Sequence, residues 1–170
     1  MNTVKTDHPN EVEVRSENLE PPSWVSAVER YALAVLRRLE RSGWVLSILL
    51  ADDEFVHRLN REYRGIDSVT DVLSFAGNED SDPAPDSPVD SSGVTRMQPP
   101  RYVGDIVLAL PFIRAQAEEY HVPYEEEIRR LIVHGILHLA GYTHSSYDFD
   151  AEPMLRLQEH LVSEIKETLF

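Results

Sequence analysis

Three of the chain's seven histidines fall in a single window, His134-Gly135-Ile136-Leu137-His138-Leu139-Ala140-Gly141-Tyr142-Thr143-His144. His134 and His138 are four apart, so on a helix their imidazoles leave the same face, one turn above the other. Gly141 supplies a residue that can take the left-handed conformation that ends a helix, after which the chain can turn His144 back toward the first two. Three imidazoles converging from a helix and the turn after it make a three-nitrogen metal site, and zinc with three protein ligands and one open position is the usual catalytic arrangement. A lone histidine on an apolar helix is ordinarily a satisfied core residue. The full spacing His-x3-His-x2-Gly-x2-His is much rarer, and it is the metal spacing of the metzincin proteases. Those enzymes place a glutamate general base directly after the first histidine. Here that position is Gly135, so the metal cage is present and the peptidase base is missing.

The elements that must hold this window are legible from hydrophobic period and breakers. Glu11-Val12-Glu13-Val14-Arg15 alternates as a half-buried strand, ended by Pro21 and Pro22. Ser23 is the expected N-cap of a helix from about Trp24 to Arg41, with Val25, Val28, Ala32, Val35, Leu36 and Leu39 in helical spacing and Gly43 as its stop. The apolar run Trp44 to Ala51 suits a buried central strand. Asp52 or Asp53 can cap a second helix carrying Phe55, Val56, Leu59 and Tyr63, with Arg61 and Arg64 near its end before Gly65. Strands are expected at Thr70–Phe75 and Asp105–Leu110, then a helix from Pro111 to Tyr120. Pro123 opens the helix that bears the histidines, with Glu125, Glu126 and Glu127 in its first turn, where negative charge suits the helix dipole. Its apolar residues Ile128, Leu131, Ile132, Val133, Ile136, Leu137 and Leu139 cover almost every face, the pattern of a buried central helix. A last helix is expected from about Ala151 to Leu169, capped by Asp150, with Met154, Leu157, Leu161 and Ile165 as its stripe. The expected fold is α+β: one domain over residues 1–170, a small mixed sheet of about four strands, and the metal-bearing helix packed at its centre in a zincin-like arrangement.

Residues 77–101 stand apart. They hold five of the 11 prolines and the acidic residues Glu79, Asp80, Asp82, Asp86 and Asp90, a composition that cannot bury enough apolar surface to order itself. The expectation is an unordered acidic Pro/Ser/Asp insertion. With no cysteine, disulfides, thiolate ligands and a cysteine nucleophile are excluded. The polar N-terminus from Met1 to Asn10 is no signal peptide, and no apolar run approaches a membrane span, so a cytoplasmic protein without membrane partners is expected. The formal net charge of −14 argues against a general binder of phosphate backbone and leaves room only for a local basic cleft.

The sequence resembles the YbeY family, single-strand-specific endoribonucleases of ribosomal RNA maturation. The family signature His-Gly-x-Leu-His-Leu-x-Gly-Tyr-Asp-His stands here as His134 to His144. Further matches are Leu59-Asn60-Arg61-Glu62-Tyr63-Arg64, Asp67, Thr70-Asp71-Val72-Leu73-Ser74-Phe75 and Gly104-Asp105-Ile106, across roughly residues 11 to 168. The resemblance implies one zinc per chain on His134, His138 and His144, and a functional arginine at Arg64. It implies a zinc-dependent endoribonuclease acting in 16S ribosomal RNA 3′-end maturation and ribosome quality control, with single-stranded RNA, ribosomal RNA and ribosomal particles as partners. Three features depart from the pattern. Thr143 replaces the usual aspartate before the third histidine, Val69 replaces the usual proline before Thr70, and the 77–101 insertion is longer than is typical.

Zinc with an open position can bring the pKa of its water toward neutrality and can polarise a phosphoryl oxygen. RNA offers a second route, in which the 2′-hydroxyl attacks the adjacent phosphorus. Both transition states gather negative charge on phosphate oxygens, which a bidentate arginine answers. Arg64 is the catalytic candidate and Arg61 a nearby substrate-phosphate contact. Glu152 and Asp148 are the carboxylates considered as bases. A ribosome assembly factor with a structural zinc stands as the alternative, favoured by the acidic charge and Thr143. A peptidase is disfavoured by Gly135.

Overall fold

The computed structural model describes residues 8–77, 100–148 and 150–170. In chain order the elements are β1 (Glu11–Glu17), α1 (Val25–Arg38), β2 (Trp44–Ala51), α2 (Asp53–Arg64), β3 (Val72–Ala76), β4 (Arg101–Ala109), α3 (Leu110–Glu119), α4 (Tyr124–Leu139) and α5 (Pro153–Glu164). The four strands form one mixed sheet in the order β1-β2-β4-β3. β1 and β4 both run parallel to the central β2, and β3 closes one edge antiparallel to β4. Parallel neighbours need covering helices. Accordingly β2 is buried along most of its length, as its unbroken apolar run requires.

The sheet has two unequal faces. Leu46, Ile48 and Leu50 of β2 and Ile106 and Leu108 of β4 join the larger core with α1, α4 and α5. The alternate residues, among them Ala51, Val107 and Ala109, meet Phe55, Val56 and Leu59 of α2 in a smaller cluster. Within the larger core, Ile128, Ile132, Val133, Ile136 and Leu137 of α4 have no exposed surface, as expected for a helix apolar on nearly every side. Two glycines let it sit this close to the sheet. A Cβ on Gly135 would stand 2.9 Å from Ile106 Cδ1 and Cγ2. A Cβ on Gly104, whose φ is +144°, would meet Leu139 Cδ2 at 2.8 Å and the Phe75 carbonyl oxygen as well.

The α+β fold and the mixed four-stranded sheet are as the sequence predicts, and the differences lie at element ends. α1 stops at Arg38, because Glu40 (φ +54°) takes the left-handed position assigned to Gly43. Its start lacks a side-chain cap at Ser23; the helix opens from Trp24 on backbone bonds, with the Val25 N–H donating to the Pro22 carbonyl. Of the two cap candidates for α2, Asp52 accepts from the Phe55 N–H at 2.9 Å, while Asp53 instead accepts from Phe112 N–H and ties α2 to α3. β4 begins at Arg101, not Asp105, since a register shift at Val45/Leu46 lets the pairing extend. α5 opens at Pro153 and ends at Glu164, shorter at both ends than expected. Asp150 does not cap it. Of the insertion expected at 77–101, Gly77 donates its N–H to the Val103 carbonyl and Arg101 opens β4. The remainder, 78–99, lies outside the described residues.

Candidate metal centre

α4 ends as the sequence predicts. Gly141 has φ +94°, and the Tyr142 N–H returns to the Leu137 carbonyl at 3.0 Å. That reversal brings His144 back against the helix. One ring nitrogen from each of His134, His138 and His144 lies within 4.8 Å of the other two, and all three residues are half-buried.

The hydrogen bonds fix which nitrogens face inward. His138 Nδ1 is 3.1 Å from the Tyr142 carbonyl oxygen and His144 Nδ1 is 3.1 Å from that of Ser146. A carbonyl only accepts, so both Nδ1 atoms carry the proton. His134 Nδ1 is 2.7 Å from Gln158 Oε1. The Gln158 amide is oriented by its own Nε2, which donates to Glu159 Oε1, so its oxygen faces the histidine and His134 Nδ1 is again the donor. Each Nε2 therefore presents a lone pair to the centre. The Nε2 atoms of His134 and His138 are 2.9 Å apart, which is repulsive unless a proton or a cation sits between them. Imidazoles that give Nδ1–H to an oxygen and keep Nε2 free are arranged as metal ligands. This group can bind a metal.

Electrostatics point the same way. Burial pushes the pKa of His134 below the ordinary imidazole value, with the charge of His144 adding to it and the Gln158 bond and Asp71 carboxylate opposing. Burial also lowers His138, helped by His134, His144 and the Arg64 guanidinium. Both imidazoles are thereby held neutral, the form that ligates.

Behind Gln158 stands a polar cluster joining α4 to α5. Arg130 bonds Glu159 through Nε at 2.7 Å, Glu127 through Nη1 at 2.9 Å and Glu126 through Nη2 at 2.7 Å. Gln158 itself is only 4% exposed. The loop after His144 is held by Glu152, whose Oε1 accepts from the backbone N–H and hydroxyl of both Ser145 and Ser146. Those bonds, the Ser146 hydroxyl first, hold the Glu152 carboxyl below its usual range. Glu152 is thus a loop clamp and a poor proton acceptor. Asp148 is likewise engaged in the turn, accepting from Asp150 N–H.

The structure places Arg64 at the exposed end of α2, where its charge acts on His138. Arg61, one turn earlier, is also exposed. Gly135 turns toward Ile106 and the sheet, so that position offers no room for a base at the metal. Thr143 is exposed in the turn between Gly141 and His144. Gln158 and Asp71 are the two site residues that reasoning from the sequence did not single out. Asp71 stands just before β3, with Oδ1 accepting from the Val72 N–H at 2.7 Å.

The model of the family described as Endoribonuclease YbeY matches residues 10–166. The chain belongs to the YbeY family. It is 40% identical over 155 residues to the Endoribonuclease YbeY of Treponema pallidum strain Nichols, covering 91% of this chain and 89% of the relative. The YbeY of Treponema denticola is 42% identical over 153 residues, covering 89% and 91%. A solution structure from Thermotoga maritima shares the fold, with a TM-score of 0.59 at 22% identity, over 89% of this chain and 87% of that one.

Proposed function

We propose that this YbeY-family chain is a metal-dependent endoribonuclease cleaving single-stranded RNA, with one zinc held by His134, His138 and His144. The reading is carried by three Nε2 lone pairs converging while every Nδ1 is bonded to an oxygen. Three imidazoles and no thiolate suit zinc, and three ligands leave a position open for chemistry. The names of its relatives, Endoribonuclease YbeY, supply the reaction class. Ribosomal RNA processing in the cytoplasm, on ribosomal particles, is the setting the family implies; no helix among the described residues is long and apolar enough to cross a membrane.

A metal held by these three histidines would supply Lewis acidity toward a phosphoryl oxygen and would acidify water. The chain's own residues do the rest. Arg64 offers a guanidinium to the phosphate oxygens as charge develops on them, and Arg61 holds a neighbouring phosphate. Gln158, Tyr142 and Ser146 hold the three imidazoles in the ligating tautomer.

Thr143 and the net charge of −14 favour a second reading, a ribosome-binding factor whose metal is structural. A panel of single-stranded RNA, duplex RNA and peptide, each with and without chelator, separates them. Chelator-sensitive cleavage of the single strand alone supports the nuclease. If neither the parent nor Thr143→Asp cleaves RNA with metal present, the binding factor is the better account.

A further inference from the structure

We infer that Tyr147 is a stacking platform for a nucleobase next to the scissile phosphate, so that this side of the site grips single-stranded RNA by a base and not by its backbone. The inference rests on the endoribonuclease reading above. The Tyr147 ring is 80% exposed, yet it stands against the metal ligand His144, with ring centroids 5.2 Å apart. Its backbone is pinned on both sides. The Ser146 N–H is held by Glu152, the Asp148 N–H by the Ser146 hydroxyl, and the Asp148 carbonyl accepts from Ala151 and Glu152. An exposed ring on a fixed backbone is preorganised to receive a flat ligand at little cost in ordering. The ring's neighbours decide what that ligand is. Asp148 and Asp150, one and three residues further along the chain, are exposed, and the chain carries a net charge of −14, which disfavours backbone phosphates on this side. A neutral base is not disfavoured. Every base has a π-face and single strands leave it free, so aromatic stacking is sequence-tolerant and rejects duplex. Arg64, on α2, then takes the phosphate while Tyr147 takes the base. This division lets so acidic a protein hold RNA.

The test is equilibrium binding of a 2′-O-methyl hexanucleotide carrying 2-aminopurine to zinc-loaded protein, measured across a salt series with zinc content checked for each variant. Tyr147→Ala should weaken binding roughly 5- to 150-fold, the range for losing one base from an aromatic ring. It should also abolish the fluorescence change of stacking and leave both the salt slope and the zinc content unchanged. Tyr147→Phe should bind like the parent. Arg64→Ala should lower the salt slope by about 0.7, the single-strand value for one phosphate contact. Tyr120→Ala removes a comparably exposed ring just before α4 and should change nothing. The inference is overturned if Tyr147→Ala binds like the parent, if Phe fails to substitute, or if zinc is lost in step with RNA, which would make the ring a mere cover for His144. A parent that binds no single-stranded RNA overturns the endoribonuclease reading and this inference with it.

Discussion

Replacing Gln158 with methionine keeps the length of the side chain and removes the oxygen that receives the His134 Nδ1–H at 2.7 Å. Gln158 is 4% exposed, so water cannot readily stand in for it. Without metal, His134 can shift its proton to Nε2 or rotate, and the loss is partly relieved. With metal on Nε2 the proton must stay on Nδ1, and a buried donor is left without an acceptor. That costs about 1–3 kcal/mol, charged selectively to the metal-bound form. The corresponding loss of affinity is about 5- to 150-fold, overlapping the 10- to 100-fold typical when a partner behind a metal-bound histidine is removed. Competition against a chromophoric chelator reads the zinc Kd directly, with circular dichroism confirming the fold. Gln158→Glu restores an acceptor and should return much of the affinity, less the repulsion between it and Glu159. A Gln158→Met protein that is folded and binds zinc within twofold of the parent would show that α5 does not set the tautomer of His134.

Arg64→Ala should retain zinc and lose about 10²–10³ in single-turnover cleavage of a short single-stranded RNA, the usual cost of one donor to transition-state charge; parental rates would remove Arg64 from the mechanism. Gly135→Ala drives a methyl into Ile106, an overpacking worth about 1–3 kcal/mol, or a fall in Tm of roughly 2–12 °C by calorimetry. An unchanged Tm would mean that α4 does not rest on β4 as described. In chelator-treated protein, His134 and His138 have lowered pKa values when folded, so their contribution to stability is fully present above the unfolded value of about 6.5. As the pH falls below that value the unfolded chain takes up protons that the folded chain refuses. The Tm should therefore drop from about pH 6.5 downward, and His138→Ala should flatten that drop.

Much of the site was legible because helical period and chain reversal are local. A four-residue step from His134 to His138, and a glycine three residues on, suffice to aim two imidazoles and return a third. Gln158 was hidden for the opposite reason: it reaches His134 only because α5 folds back along α4, twenty-four residues later in the chain. Asp71 was read as part of a strand block, and only the antiparallel placement of β3 beside β4 brings it near α4. Glu152 was considered as a base from the sequence, whereas in the folded chain its oxygen is spent on two serines. Element ends shifted where backbone geometry overrode residue preference. Glu40 takes a left-handed conformation and ends α1, although Gly43 stands three residues on.

The most direct measurement is the rate of single-stranded RNA cleavage against zinc content in one purified sample, stripped by chelator and refilled stepwise, with His138→Ala alongside. Cleavage should rise in proportion to zinc and saturate at one per chain, and His138→Ala should neither retain the metal nor cleave. Undiminished cleavage by metal-free protein, or one bound zinc per chain with no cleavage at all, would contradict a metal centre that does the chemistry.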